Sequence, residues 1–186
     1  MIGVTIHELA VGDHAELTRV AGEADIAGFV DSVGDYNPIH SDRAYAAGTS
    51  FKERIAPGIW TAGLISAVIG TRLPGPGTIY LSQDLRFLRP VRLGDILTAR
   101  VDVVEVSPEK NRVRLRTSCL NQRGEEVLAG EAVVKPSRTP VRYERTVGPA
   151  AALTLWALAP WAWAAHGAAV TGALMWSAMA PSRPRR

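Results

Sequence analysis

The chain has a single cysteine, Cys119, among its 186 residues. One cysteine excludes an internal disulfide and agrees with a reducing compartment such as the cytoplasm. Residues 1–17 lack a basic region followed by an apolar run, so they do not resemble a secretory signal. We therefore expect a cytoplasmic protein that folds without covalent cross-links.

The excess of one sign of charge over the other is also small. The formal net charge is only +3, and Lys and Arg form no long block. Because nucleic-acid-binding proteins need a clustered basic surface, we expect no nucleic-acid partner. The contents of 47% hydrophobic and 21% charged residues are ordinary for a globular protein and exclude disorder throughout the chain.

Two common kinds of binding site are missing from the sequence. The histidines show no paired spacing suited to a metal: they are His7, His14, His40 and His166. The glycines of the Leu73–Gly77 turn are not followed by Lys and Ser or Thr, and a strand-like run comes next, so they do not form a phosphate-binding loop. We expect neither a metal centre nor a nucleotide phosphate site.

The composition changes near Pro136. Charged and apolar residues interleave before it, whereas residues 150–180 contain no Asp, Glu, Lys or Arg and hold four of the five tryptophans. We therefore predict a folded domain at residues 1–136, a linker at 137–149 and an apolar tail at 150–186.

Three interpretations of the tail stay open. Its length is sufficient to cross a membrane, and arginines follow it, which favours a membrane or interfacial segment. Pro160, His166 and several glycines argue against insertion and favour an irregular or helical appendage on the domain. The third interpretation is a non-native C-terminus, for example from a frame change after Pro136 that cut off a fused partner domain.

Helical patterns occupy the first half of the domain. Apolar residues at helical spacing predict an amphipathic helix over Gly22–Val33. A short helix is expected to start at Ser41 or Asp42 and to run through Tyr45, with Gly48 as its stop. Gly58–Gly70 is apolar on every side and too short to span a bilayer, so it predicts a core helix buried all round.

Strand-like runs follow the apolar helix. Short turn-rich gaps between the last three favour antiparallel hairpins. The sequence therefore predicts an α+β domain in which an antiparallel sheet curls around a buried helix. The predicted strands are Thr78–Phe87, Ile96–Val106, Arg112–Leu120 and Glu125–Lys135.

Polar residues that suit acid–base chemistry crowd around a proline turn between the first two helices. They are Asp31, Asp35, Asn37, His40 and Asp42. A carboxylate and an imidazole five positions apart on non-helical backbone can converge, so that one takes a proton while the other gives one. Composition alone favours the structural alternative, because Gly-Asp-x-Asn-Pro is also good turn chemistry.

The sequence of this turn, Gly34–Asp42 (GDYNPIHSD), resembles the hydratase-2 motif of the MaoC-like family, which includes the (R)-specific enoyl-CoA hydratases. Weaker likenesses continue in order at Ile55–Ile59, Leu64–Ser66, Leu73–Leu81 and further along, over roughly residues 10–136. The resemblance is especially close to the hydratase part fused to phosphate acetyltransferases in some bacteria. It implies a hot-dog fold, a helix wrapped by an antiparallel sheet, that works as a homodimer or as a dimer-like pair.

The resemblance also implies an activity and roles for single residues. Water would add syn across a trans-2-enoyl-CoA thioester with no metal or redox cofactor. Asp35 would activate the water for attack on C3, His40 would deliver a proton to C2, and Asn37 would orient one of them or the water. The backbone N–H of Gly58 would stabilise the enolate oxygen, and Ser66 would face the site from inside the helix.

Several alternatives accompany these implications. Asn37 could serve only the turn, Gly58 only the tight entry to the helix, and Ser66 only a hydrogen bond to the preceding turn. Many relatives carry His where Pro57 stands here, a departure that bears on rate or substrate range. A hot-dog thioesterase and a non-catalytic acyl-CoA-binding or dimerisation module are the rival functions.

Overall fold

A computed structural model describes residues 1–144 of the chain. Helices come before a strand-rich half, as the hydrophobic periods predict, which confirms the α+β class. The helices are α1 (Glu23–Val33), α2 (Pro38–Ser41), α3 (Arg43–Gly48) and α4 (Gly58–Thr71). The strands are β1 (Ile2–Gly3), β2 (His14–Val20), β3 (Ile79–Phe87), β4 (Ile96–Ser107), β5 (Arg112–Leu120), β6 (Glu126–Lys135) and β7 (Val141–Arg142).

The main sheet has five antiparallel strands in the order β2-β4-β5-β6-β3. Short turns join β4, β5 and β6 into a meander, as their spacing predicts. Alternate residues of these strands are buried, and the paired positions lie in register: Val103 opposite Leu115, and Leu115 opposite Ala132. One face of the sheet is therefore apolar and requires a cover.

Helix α4 supplies that cover, packing against β2, β4 and β5. Ile65, Val68 and Ile69 are almost fully buried beneath the sheet. Burying each such side chain contributes about 1.5–3 kcal/mol. The hydrophobic effect thus fixes α4, and with it the helix N-terminus at Gly58, against the sheet.

The prediction that α4 is buried all round is wrong for the single chain. The sheet wraps one side of the helix and leaves a stripe of residues in solvent on the other. This exposed stripe consists of Ile59, Gly63, Ser66 and Gly70. Ile59 is 59% exposed, which is unusual for a large apolar side chain in a helix this hydrophobic.

Four elements, β1, β2, α2 and β7, do not follow from the sequence patterns. Strand β2 lies at a sheet edge with only Ala15 and Leu17 partly buried, so its alternation is weak. Helix α2 begins at Pro38. Proline has no backbone N–H, but at the first helical position this loses no hydrogen bond, because no helical carbonyl precedes it. Strand β7, inside the predicted 137–149 linker, pairs with β1 at the N-terminus.

The membrane hypothesis concerns residues 150–180, which lie outside the described residues. No helix within residues 1–144 is both long and apolar enough to cross a bilayer. The predicted domain boundaries stay predictions.

Candidate active site

The first site residue follows directly from the end of α1. Gly34 adopts a left-handed conformation, with φ of 75°, and its N–H donates to the carbonyl of Val30 at 2.8 Å. This turn, which glycine adopts at little cost, stops the helix and directs the chain toward Asp35. The Asp35 carboxylate is 43% exposed and so is accessible to a small molecule.

Asn37 and Pro38 start the short helix that carries the imidazole. The Oδ1 of Asn37 accepts a hydrogen bond from the Ile39 N–H at 3.3 Å, and Pro38 occupies the first helical position. This is the ordinary chemistry of a helix N-terminus. Asn37 therefore caps the helix that carries His40, and its predicted role in orienting the pair or the water stays a prediction.

His40 and Asp35 come together as the sequence predicts. The Nε2 atom of His40 lies 3.7 Å from Oδ2 of Asp35, and the imidazole is only 10% exposed. The separation exceeds a direct hydrogen bond and suits two groups that share one water molecule.

The other ring nitrogen of His40 fixes its protonation pattern. Nδ1 lies 2.7 Å from the backbone carbonyl oxygen of Ile55. A carbonyl only accepts, so Nδ1 carries a proton and donates it. Nε2 is then the single ring position that can gain or lose a proton, and it points at Asp35.

The segment that holds His40 is itself fixed to the sheet side of the domain. Ile55 forms an isolated antiparallel bridge with Arg92, and the Ala56 N–H donates to the carbonyl of Val91 at 2.8 Å. The same segment leads into α4 through Pro57. The contact between His40 and Ile55 therefore joins the proline turn to the N-terminus of α4.

The N-terminus of α4 opens into the larger of two cavities that matter here. Pro57 is the cap residue, and the N–H of Gly58 has no acceptor within the helix. This end of the helix favours a negative charge. A Cβ atom at Gly58 would lie 2.8 Å from the Phe87 ring, so only glycine fits without displacing that ring.

This cavity, hereafter the α4 cavity, has a volume of about 440 Å³. Its wall is mostly apolar, with Ile55, Phe87 and Val127 among the lining residues. Such a space suits an acyl chain or a thioester better than a charged group. Because Ile55 lines the α4 cavity and also holds His40, the acid–base pair and the cavity share one wall.

A smaller cavity of about 230 Å³ lies on the α1 side of His40. It is more polar, with Tyr36, Asp31 and Arg54 in its wall. Arg54 forms an ion pair with Glu23 at 2.8 Å, which ties the segment before α4 to α1. Asp31 borders the site, because it lines the same smaller cavity as His40. The carboxylate that faces the imidazole is that of Asp35.

The remaining candidate residues lie elsewhere. Asp42 caps α3, its Oδ1 accepting from the Tyr45 N–H at 3.0 Å, so its role is structural. Ser66 is in the exposed stripe of α4 and lines neither cavity in the single chain. Its predicted role in the site stays a prediction. Within residues 1–144, no group of acidic, His and Cys side chains is arranged to hold a metal ion.

Three residues that contribute to the site, Ile55, Phe87 and Thr61, were not predicted from the sequence. The Ile55 carbonyl is a backbone group 15 residues from His40, and the contact of Phe87 with Gly58 joins distant segments, so neither leaves a local signal. Thr61 also lines the α4 cavity, and as one of three hydroxyl-bearing residues in a mostly apolar helix it was a signal that could have been used.

Known proteins with similar sequences cover most of the chain. The profile of the MaoC-like domain matches residues 6–123. A protein of Methylorubrum extorquens named 3-hydroxybutyryl-CoA dehydratase is 51% identical over 128 residues, which are 69% of this chain and 81% of the relative. An (R)-specific enoyl-CoA hydratase of Rhodospirillum rubrum is 48% identical over 127 residues, 68% of this chain and 88% of its own.

Solved structures agree with this similarity. The unliganded R-hydratase of Pseudomonas aeruginosa superposes with a TM-score of 0.76 at 49% identity, covering 80% of this chain and 95% of that one. The (R)-hydratase from A. caviae gives 0.68 at 42% identity, covering 69% and 98%. The predicted hot-dog fold is thereby confirmed.

Proposed function

Because this chain belongs to the MaoC-like domain family, we propose that it hydrates trans-2-enoyl-CoA to (R)-3-hydroxyacyl-CoA by syn addition of water. One observation carries the proposal more than any other. Nε2 of His40 faces the Asp35 carboxylate at 3.7 Å, while Nδ1 is held by the Ile55 carbonyl. This arrangement provides a base and a proton donor on the same side of a small space.

The reaction begins with the water molecule that Asp35 and His40 share. Asp35 accepts one proton from the water as its oxygen attacks C3 of the enoyl chain. Imidazolium at His40 gives its Nε2 proton to C2. Afterwards the next water molecule to enter the 3.7 Å gap relays the proton from Asp35 to Nε2, so both groups recover their starting states. Attack and protonation come from one face, which gives syn addition.

The electrons displaced by the attack move to the thioester carbonyl oxygen. An oxygen at the N-terminus of α4 would receive the N–H of Gly58 and the positive end of the helix dipole. Donors that are fixed before the reaction stabilise the enolate more than the neutral carbonyl. The apolar α4 cavity provides surroundings in which this interaction is strong.

The first experiment mixes the purified protein with crotonyl-CoA and follows the loss of enoyl absorbance in the near ultraviolet. We expect rapid hydration, and chiral chromatography should give the (R)-3-hydroxy product. Butyryl-CoA serves as the control, because its saturated chain has no double bond to hydrate. Release of free CoA thiol from butyryl-CoA would instead indicate a thioesterase. Tight binding of crotonyl-CoA without turnover would indicate a binding module.

Unpaired apolar surface supports a homodimer. Strand β3 is a sheet edge, and exposed apolar side chains lie along it at Ile79, Leu81 and Phe87. The exposed stripe of α4 adds Ile59. Edge strands of this kind are normally paired or protected. We expect two copies to associate through β3 and the exposed stripe, which would also enclose Ser66.

Light scattering coupled to size exclusion tests the dimer. The wild-type mass should be twice the 20.0 kDa of one chain. Leu81→Lys places a charge on the β3 edge and should produce monomers. The matched control is Val20→Lys, since Val20 is similarly exposed but lies on β2 at the opposite edge of the sheet. Monomeric wild-type protein, or equal dissociation by both variants, would contradict the interface.

We expect catalysis in the cytoplasm without a metal or redox cofactor, since the acid–base pair and the helix N-terminus supply the groups that hydration needs. Membrane contact through residues 150–180 and association with a phosphate acetyltransferase remain predictions.

A further inference from the structure

Thr61 contributes a polar side chain to the mostly apolar wall of the α4 cavity. The residue is only 2% exposed, and it lines the cavity together with Gly58 and Phe87. Its Oγ1 is buried and has no hydrogen-bond partner within residues 1–144. A buried hydroxyl without a partner is unfavourable, so a group that persists in this state needs an explanation.

Two other threonines show two ways in which the fold satisfies such hydroxyls, whereas the buried Oγ1 of Thr78, like that of Thr61, has no partner within residues 1–144. Thr71, at the other end of α4, donates to the Ala67 carbonyl one turn back at 2.6 Å. Thr117, fully buried in β5, accepts from Nε2 of Gln83 at 3.0 Å. Thr61 makes neither kind of bond, although it is a helical residue like Thr71.

The helix directs this hydroxyl toward the same space as the Gly58 N–H. Thr61 follows Gly58 by three positions, so the two residues lie on one side of α4. Side chains of an α-helix tilt toward its N-terminus. Thr61 therefore leans toward the first turn, where the free N–H of Gly58 opens into the α4 cavity.

We propose that Thr61 is a further catalytic residue, whose hydroxyl donates a hydrogen bond to the thioester carbonyl oxygen beside the Gly58 N–H. This inference rests on the proposed hydratase activity. The oxygen carries little charge in the substrate and a full negative charge in the enolate, so the bond strengthens as water attacks C3. The proton stays on Thr61 throughout, and the hydroxyl without a partner in the free protein acquires one when substrate binds.

The test replaces Thr61 by Val, which keeps the shape and removes the hydroxyl, and by Ser, which keeps the hydroxyl. We expect Thr61→Val to lower kcat for crotonyl-CoA by about 10²-fold with a smaller change in KM, as for loss of one oxyanion donor. Thr61→Ser should recover most of this loss. The thermal midpoint of Thr61→Val should equal or exceed the wild-type value, because the unsatisfied hydroxyl is gone. Thr71→Val is the matched control and should keep the wild-type kcat.

A spectroscopic measurement separates this proposal from the activity on which it rests. Crotonyl-CoA labelled with ¹³C at C1 is bound to Asp35→Asn protein, and the infrared carbonyl stretch is compared with and without Thr61→Val. A hydrogen bond from Thr61 predicts a shift to higher frequency in the double variant. An unchanged band, or a Thr61→Val kcat equal to wild type, would overturn the role of Thr61 and leave the hydratase proposal intact. Wild-type protein that does not hydrate crotonyl-CoA would overturn the proposed function, while the band shift would still report on Thr61.

Discussion

Replacing Asp35 by Asn is expected to lower kcat for crotonyl-CoA hydration by about 10²–10⁴-fold, and His40→Ala by a similar factor. Asn has nearly the shape of Asp but cannot accept the proton of the attacking water. Alanine at position 40 removes the only ring nitrogen that faces Asp35, as well as the bond to Ile55. Each variant leaves the other partner in place, but neither partner can complete the transfer alone.

The double variant makes the prediction sharper. Two groups that act as one unit are not additive, so Asp35→Asn combined with His40→Ala should be little slower than the slower single variant. Asp42→Asn is the matched control: it lies in the same motif, and asparagine caps a helix as well as aspartate does. Multiplicative losses in the double variant, or equal losses in Asp42→Asn, would contradict a shared role of the pair. Circular dichroism establishes that each variant is folded.

The largest effect on stability is expected from Ile65→Ala. Ile65 has no exposed surface and lies on the side of α4 that packs against the sheet. Truncating a fully buried isoleucine removes apolar contacts and leaves a cavity, at a cost of about 2–5 kcal/mol. The free energy of unfolding, measured by urea titration, should fall by that amount.

The control for this variant is Val11→Ala, because Val11 is 67% exposed in a loop. Its free energy of unfolding should change by no more than about 0.5 kcal/mol. A small effect of Ile65→Ala would mean that α4 is not the centre of the core. The N-terminus of α4 would then lack the rigid support that Gly58 and Thr61 require.

The spacing of apolar residues along the chain predicted the helices and strands in which that spacing is regular. The meander of β4, β5 and β6 follows from alternating apolar residues with short turns, and α1 from its helical spacing and the glycine that ends it. The pairing of Asp35 with His40 was also predictable, because only five positions separate them around a proline turn. Their roles came from family resemblance, since composition alone favoured a structural turn.

Contacts between distant segments account for what could not be predicted. The sequence near His40 carries no sign that the Ile55 carbonyl will orient the ring, since Ile55 is 15 residues away and is itself bridged to the distant Arg92. The open side of α4 was missed for another reason. Apolar composition shows that Ile59 requires burial but does not show whether its own sheet or a second chain provides it.

The order of the strands indicates which part of this chain can accept insertions and which part cannot. β2 and β3 are the two edges of the sheet, and every residue proposed for catalysis lies between the end of β2 at Val20 and the start of β3 at Ile79. Lengthening such an excursion adds little closure entropy, about 0.6 kcal/mol for each doubling of a flexible loop. One extra residue within β4, β5 or β6 would instead turn the following side chains to the opposite face. Insertions that remodel the acyl pocket are therefore tolerable in the loops that join the helices of this excursion, while α4 and the meander are confined to substitution.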